Sequence, residues 1–268
     1  REDAFFQNPL VTAIDADISR LAAVKEQICE PCDVFYHFAW LGTFGNTRDD
    51  AYLQTDNVRF TLDAVSLAHA LGCECFVGAG SQAEYGPVTE KLTAKTPTAP
   101  VTGYGIAKYT AGNLSRLHAQ QFGIRHVWAR ILSVYGQKGN PNSIIPSTIR
   151  KMQNGEYCPF TKGEQDWDFL HCDDAGLAFY CMGEKGKDGA VYPLGSGETR
   201  KLADYMLALR AIVNPQAPMG IGDLPYNENQ VMYLCADIST LTEDTGFRPQ
   251  VSFEEGVRRT AQWMKENA

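Results

Sequence analysis

A chain of 268 residues, 44% of them hydrophobic and 21% charged, has ordinary globular composition and can bury one large core or two interleaved ones. A net charge of −8 and a pI near 5.2 argue against nucleic acid or an anionic membrane as the main partner. They leave room for a nucleotide, because helix N-termini and Arg side chains can hold phosphate locally. No run approaches the ~20 apolar residues of a membrane span and no signal peptide is visible. Eight cysteines in such a chain fit a reducing compartment, so the expected address is the cytoplasm.

In chain order, residues 9–18 read as a strand ending in acidic residues and 19–28 as a helix. Residues 33–40 read as the next strand, followed by a loop with Gly42 and Gly45. Apolar periodicity through Leu53, Val58, Leu62, Val65 and Leu67 predicts a helix over 49–71, stopped by Gly72. The run 75–80 has the length and content of a buried parallel strand. After it come Ser81 to Gly86, a loop with Pro87, Pro97 and Pro100, a helix over 104–122 and a strand over 125–132. Strands alternating with helices imply a parallel sheet with right-handed crossovers. Beyond Gly136 the pattern loosens. Residues 137–166 suit a substrate-binding cap with one helical piece at 144–152. Short helices follow at 173–182 and 201–212, a strand at 190–194, and a closing helix at 252–266 with Ser252 and Glu255 at capping-box spacing.

Tyr104 and Lys108 stand at i and i+4 of a helix and so share a face. A phenol beside an ammonium is a tuned acid, since the positive charge favours phenolate and lowers the Tyr pKa from about 10 toward the working pH. Ser81, at the carboxyl end of the preceding strand, can bring a hydroxyl to the same place, where ligands of open α/β sheets gather. The bland alternative is a solvated Lys beside a half-buried Tyr.

The succession of strand, Ser81, Tyr85-Gly86, Tyr104 with Lys108, and Arg130-Ile131-Leu132-Ser133-Val134-Tyr135-Gly136 resembles the extended short-chain dehydrogenase/reductase family. These are the nucleotide-sugar epimerases, dehydratases and reductases. The resemblance continues through residues 167–175, 191–197 and 245–249, and so covers nearly the whole chain. It implies an α/β, Rossmann-like doubly wound parallel sheet. A dinucleotide-binding domain at 1–136 would precede a smaller, partly interleaved substrate-binding region at 137–268. It implies NAD or NADP as cofactor, with Tyr104 exchanging a proton with a sugar hydroxyl or keto oxygen. Lys108 would hold the nicotinamide ribose and depress the Tyr104 pKa, and Ser81 would bond the reacting oxygen. Implied cofactor contacts are Asp17 and Ile18 at the adenine, Phe38, Ala39 and Trp40 along the cofactor, Asn57 on the next helix, and Leu132. Asp17 also reads as a helix N-cap and Asn57 as a buried structural amide. Implied substrate contacts are Ser81, Gln82, Ser133, Asn142 and Ile144. Helices 49–71 and 104–122 carry apolar positions beyond one core stripe, and their family equivalents form a four-helix interface, so a homodimer is expected.

Departures from the family narrow the reading. No Gly-rich turn for a pyrophosphate is present. The expected explanation is a chain lacking about two N-terminal βα units; the alternative is a lost cofactor site in a non-catalytic nucleotide-binding or scaffold protein. Gln82 and Ala83 stand where dehydratases carry Asp and Glu, so elimination of water is disfavoured, and in a strand-like segment Glu84 would face the other way. Ser133 replaces the Asn of many epimerases and Trp167 a frequent Arg, leaving Arg150, Arg200 and Lys201 as substitutes for phosphate contact or as plain solvated cations. What remains is C4 epimerisation or 4-keto reduction of a nucleotide sugar, with a reductase of a small non-nucleotide carbonyl as the alternative. Independently of the family, Cys29, Cys32, Cys73 and Cys75 precede two strands that, if adjacent, place four thiols at one sheet edge. A structural zinc or redox bridge then competes with four unconnected cysteines, and the tight Cys73-x-Cys75 spacing favours the latter.

Overall fold

The computed structural model describes residues 4–227 and 230–267. Its strands in chain order are β1 (Val34–His37), β2 (Cys75–Ser81), β3 (Arg125–Ile131), β4 (Ser133–Tyr135), β5 (Cys158–Phe160), β6 (Asp166–Trp167), β7 (Phe169–His171), β8 (Ala190–Leu194), β9 (Arg200–Lys201), β10 (Met219–Ile221) and β11 (Tyr233–Leu234). The α-helices are α1 (Ala51–Ala70), α2 (Gly103–Gln121), α3 (Ile144–Gln153), α4 (Cys172–Lys185), α5 (Leu202–Val213), α6 (Ser239–Thr245) and α7 (Phe253–Glu266).

Four strands pair in the order β1–β2–β3–β8, all parallel, with Val34 opposite Cys75, Cys75 opposite Arg125 and Val127 opposite Ala190. Every residue of β2 is buried, as a strand covered on both faces requires. Its side chains alternate between those faces. Cys75, Val77 and Ala79 join Ala178, Phe179 and Met182 of α4 and Leu241 of α6 in one core. Phe76 meets Ala64, Val65 and Ala68 of α1 and Ala119 of α2 in another. The sheet is therefore doubly wound, and part of its cover comes from the C-terminal half. A Cβ on Gly78 or Gly80 would overlap the Trp128 indole, so these glycines let that ring lie flat against β2. A third core gathers Ile145, Ile149 and Met152 of α3, Tyr205, Met206 and Leu209 of α5 and Phe253 and Val257 of α7 around Tyr135 and Phe169.

Caps fix the helices next to the site. Asp50 accepts the Tyr52 and Leu53 N–H groups at the start of α1, and Thr102 accepts the Gly105 N–H at the start of α2. Ser252 caps α7 through the Glu255 N–H, but the Glu255 carboxylate turns to Arg258 and Arg259 instead of back to the cap. Buried Asp168 accepts from the Ser196 N–H and hydroxyl, the Gly197 N–H and the Ala236 N–H, tying β7 to the loops after β8 and β11.

Three expectations are corrected. Residues 9–17 form no strand: their side chains are mostly exposed, Ile14 alone of them packs against a core among the described residues, and β1 pairs with β2 alone among those residues. The expected helix over 19–28 is a 3-10 helix at Ile18–Gln27, broken by non-helical dihedrals at Arg20. The strand expected over 33–40 ends at His37, where the chain turns away under the grip of α1 side chains described below. Of the four cysteines near the β1 and β2 entries, Cys73 and Cys75 are buried as small apolar groups, with thiols pushed up to about 11 by burial. No metal-ligating group forms from them among the described residues, although the two strands are neighbours. No helix among the described residues is long and apolar enough to cross a membrane.

Candidate active site

The site is built at the carboxyl edge of β2. Ser81 ends that strand and caps a 3-10 turn, Gln82–Glu84: its hydroxyl accepts the Ala83 N–H at 3.2 Å while Glu84 Oε1 accepts the Ser81 N–H at 2.8 Å. The strand-like reading of this segment is thereby corrected, and Glu84 is not merely turned aside. Its carboxylate is buried under the sheet edge, accepting from Trp128 Nε1 at 2.9 Å and from Arg130 Nε at 2.7 Å. Arg130 in turn lies over the Tyr85 ring. A carboxylate committed to three donors is withdrawn from proton exchange with a substrate.

Tyr104 sits on the first turn of α2 and Lys108 one turn further along. The Ser81 hydroxyl faces the Tyr104 phenol. Burial pushes that phenol above its ordinary pKa; the Ser81 hydroxyl and the Arg48 charge pull it back, and the Glu84 charge adds to the rise. The Lys108 ammonium donates to Ala79 O at 2.6 Å and stands 3.7 Å from the centre of the Trp40 ring, against 5.8 Å for the Tyr104 ring. Burial brings its pKa down to about 7, opposed by the Glu84 charge. Helical spacing put the two residues on one face, but the long side chain folds back onto the strand. A second cation, the Arg48 guanidinium, stands 4.4 Å from the Tyr104 ring centre.

The segment after β1 forms one wall. Asn57 holds both backbone groups of Leu41, accepting its N–H and donating to its C=O, each at 2.9 Å. Gln54 accepts the Trp40 indole N–H at 3.0 Å and donates to Gly42 O at 2.8 Å. Asn57 is therefore a buried structural amide that shapes the 38–42 segment. Phe38, 56% exposed, and exposed Ala39 lie along this wall, and Trp40 meets Tyr104 edge-on. Asp17 caps the 3-10 helix Ile18–Gln27, its Oδ1 accepting the Ser19 N–H at 2.8 Å and hydroxyl at 2.7 Å, and those bonds hold its carboxyl below the usual range. Ile18, the first residue of that helix, is half-buried.

A cavity of about 500 Å³ is lined by Leu132, Ser133, Phe44, Ile144, Gln165 and Trp167, among others. The two departures at Ser133 and Trp167 meet in it, the indole Nε1 donating to Ser133 Oγ at 2.9 Å. A second cavity of about 310 Å³ shares Ile144 and Gln165 with the first and includes Lys151. Of the sequence-derived substrate residues, Asn142 is exposed and Gln82 half-buried, and neither lines these cavities. Arg150 donates to Pro141 O, Arg200 pairs with Glu254 and Lys201 with Asp166, so the three proposed substitute cations are engaged elsewhere. Sequence reasoning missed Arg48 and Phe44, which lie in the loop its two glycines marked. It also missed Gln165, whose Oε1 is buried without a hydrogen-bond partner among the described residues.

Comparisons with known proteins agree with this architecture. The family model described as the NAD dependent epimerase/dehydratase family matches residues 2–195. A dTDP-D-glucose 4,6-dehydratase of Homo sapiens is 28% identical over 252 residues, 89% of this chain and 70% of that protein. A dTDP-glucose 4,6-dehydratase of Escherichia coli is 26% identical over 187 residues, 66% of this chain and 51% of that protein. Among solved structures, the fold is similar to that of RMD from Pseudomonas aeruginosa complexed with NADPH, with a TM-score of 0.87 at 20% identity, covering 99% of this chain and 94% of that one. It is likewise similar to UDP-glucose 4-epimerase from Thermotoga maritima with UDP-glucose, with a TM-score of 0.84 at 21% identity over 95% of this chain and 84% of that one. The chain thus belongs to the NAD dependent epimerase/dehydratase family, the extended short-chain dehydrogenase/reductases that work with NAD or NADP.

Proposed function

We propose that this chain is an NAD(P)-dependent nucleotide-sugar enzyme that exchanges hydride at C4, as a C4 epimerase or a 4-ketoreductase, and does not eliminate water. The observation that carries this reading is the Ser81 hydroxyl facing the Tyr104 phenol beside a turn whose other side chains cannot move a proton. Gln82 and Ala83 lack an acid, and the Glu84 carboxylate is spent on Ser81, Trp128 and Arg130. Tyr104 gives the proton to, or takes it from, the sugar oxygen, and Ser81 orients that oxygen by hydrogen bonding. The residues at hand fit the reactive end of the dinucleotide, because the Lys108 ammonium commits one N–H to Ala79 and has others for a ribose diol. Tyr104, Lys108, Leu132 and the 38–40 segment would hold that end. When bound, the dinucleotide supplies the hydride chemistry.

The Ser133–Trp167 pair favours a second reading. It fills with an indole and a hydroxyl the place where a diphosphate contact is expected, which suits a reductase of a small non-nucleotide carbonyl. Incubating the protein with NAD or NADPH and a panel of UDP- and dTDP-hexoses and their 4-keto derivatives separates these outcomes. The C4 epimer or the 4-hydroxy product is expected. A 4-keto-6-deoxy product overturns the first reading, and turnover of non-nucleotide carbonyls alone replaces it with the second.

The same reading includes a homodimer. Helices α1 and α2 pack side by side and leave Tyr52, Ile106, Tyr109, Leu114 and Leu117 exposed, an apolar surface suited to a two-fold partner. Sedimentation at micromolar concentration is expected to give a dimer, and a clean monomer refutes it.

A further inference from the structure

A buried lysine needs something to hold its nitrogen, because a flexible four-carbon stem can place it in many positions. Lys108 is 4% exposed, and its ammonium donates to Ala79 O at 2.6 Å. The Glu84 carboxylate, whose charge acts on it, is taken by Ser81, Trp128 and Arg130. What lies against the ammonium instead is the Trp40 ring, with 3.7 Å from nitrogen to centroid. An aromatic face attracts a cation through its quadrupole, yet offers no acceptor atom to compete with a ribose hydroxyl for the remaining N–H groups. The same ring meets Tyr104 edge-on, 6.0 Å between centroids. One indole thus adjoins both residues of the pair.

The indole is itself anchored by α1. Gln54, 2% exposed, accepts the indole N–H at 3.0 Å and donates to Gly42 O at 2.8 Å and Thr47 O at 3.0 Å. Gly42 has a φ of +71°, and a Cβ there would stand 2.7 Å from Leu53 Cδ2 and 2.8 Å from Thr47 O, so the loop closes on α1 only with glycine at this turn. A single buried amide sets both the ring and the loop that follows it. We propose that Trp40 is a positioning residue acting through Lys108: its face holds the ammonium beside Ala79, where it serves a ribose diol and stays within range of the Tyr104 phenol. This rests on the roles given to Lys108 and Tyr104 in the proposed function, yet its test needs no turnover. The other groups facing Lys108 are Tyr104 on α2 itself, Glu84 from the 82–84 turn and His37 from β1, with Arg48 facing Tyr104, and all of them are kept while Trp40 is varied.

The affinity for NAD and NADPH is measured by calorimetry on the parent, Trp40→Leu, Lys108→Met and the double variant. Trp40→Leu is expected to weaken binding by roughly 5- to 30-fold, the scale of a desolvated cation–π contact, and Trp40→Phe, which keeps a smaller face, to recover part of it. In the Lys108→Met background the same Trp40→Leu change is expected to alter affinity by less than about two-fold, because residues that act as a unit are not additive. A full effect in that background, or no recovery in Trp40→Phe, overturns the proposal: the ring would then act on the dinucleotide directly or only fill space. If Trp40→Leu does not fold, Trp40→Met, with an unbranched apolar chain, takes its place. A parent chain that binds neither dinucleotide counts against the proposed function, and the same four proteins are then compared through the Tyr104 phenolate midpoint, read by ultraviolet titration against the matching Tyr104→Phe protein. A nearby ammonium favours phenolate, so Lys108→Met raises that midpoint. Trp40→Leu is expected to raise it too and to add nothing in the Lys108→Met background, whereas an unmoved midpoint in Trp40→Leu overturns the proposal.

Discussion

Tyr104→Phe is expected to lower turnover by ~10² or more while leaving NAD(P) binding and unfolding close to those of the parent, because general acid–base catalysis contributes on this scale. The substitution removes one hydroxyl and keeps the ring that Arg48 and Trp40 contact. The Ser81 hydroxyl retains its bond to the Ala83 N–H, so the turn beside it stays formed. Steady-state kinetics with cofactor titration check this. A fall of less than ten-fold would remove Tyr104 from the proton-transfer role.

Glu84→Ala is expected to cost about 3–5 kcal/mol of stability, the range found when one member of a buried ion pair is removed. Its carboxylate serves the Ser81 N–H, the Trp128 indole and the Arg130 guanidinium, whose Nη1 already has no hydrogen-bond partner among the described residues. Without it, a buried cation and two buried donors are left unsatisfied. Because Ser81 loses the bond that fixes its backbone, turnover falls as well. Urea unfolding checks the stability change. A loss below about 1 kcal/mol, the level of an exposed surface pair, would mean that water reaches this network.

Much of the scaffold was legible from short-range pattern. The apolar run of β2, the spacing of α1 and α2 and the alternation of strand with helix follow from burial on two faces, which is a periodic property of sequence. The 9–18 segment reads as a strand from the apolar residues Leu10, Val11 and Ile14 ahead of Asp15 and Asp17, whereas a strand needs a neighbour to pair with. The Gln82–Glu84 turn was misread for a nearer reason: Ser81 and Glu84 already stood at capping-box spacing, a signal of a helical turn and not of continued strand. The sequence pattern points to Ser81, Tyr104 and Lys108, and the fold brings the three to one end of β2. The presence of a second cation, Arg48, at Tyr104 was not legible. Helical spacing fixes the face from which Lys108 departs but not where four methylenes carry its nitrogen, and Arg48 arrives through the tertiary contact of Asp49 with Gly103. In the same way, the pairing of Ser133 with Trp167 joins two departures that look independent in sequence.

The proposed reaction moves hydride at C4 and one proton at its oxygen, and leaves the neighbouring carbons untouched. Turning over the accepted nucleotide sugar in heavy water and locating deuterium in the product by NMR tests it most directly. Elimination across C5 and C6 of a 4-keto sugar must release the C5 proton, and solvent hydrogen then enters there. Epimerisation or ketoreduction leaves the C5–H bond intact. The predicted result is a C4-altered product with no deuterium at C5; a 6-deoxy product carrying deuterium at C5 would contradict the account.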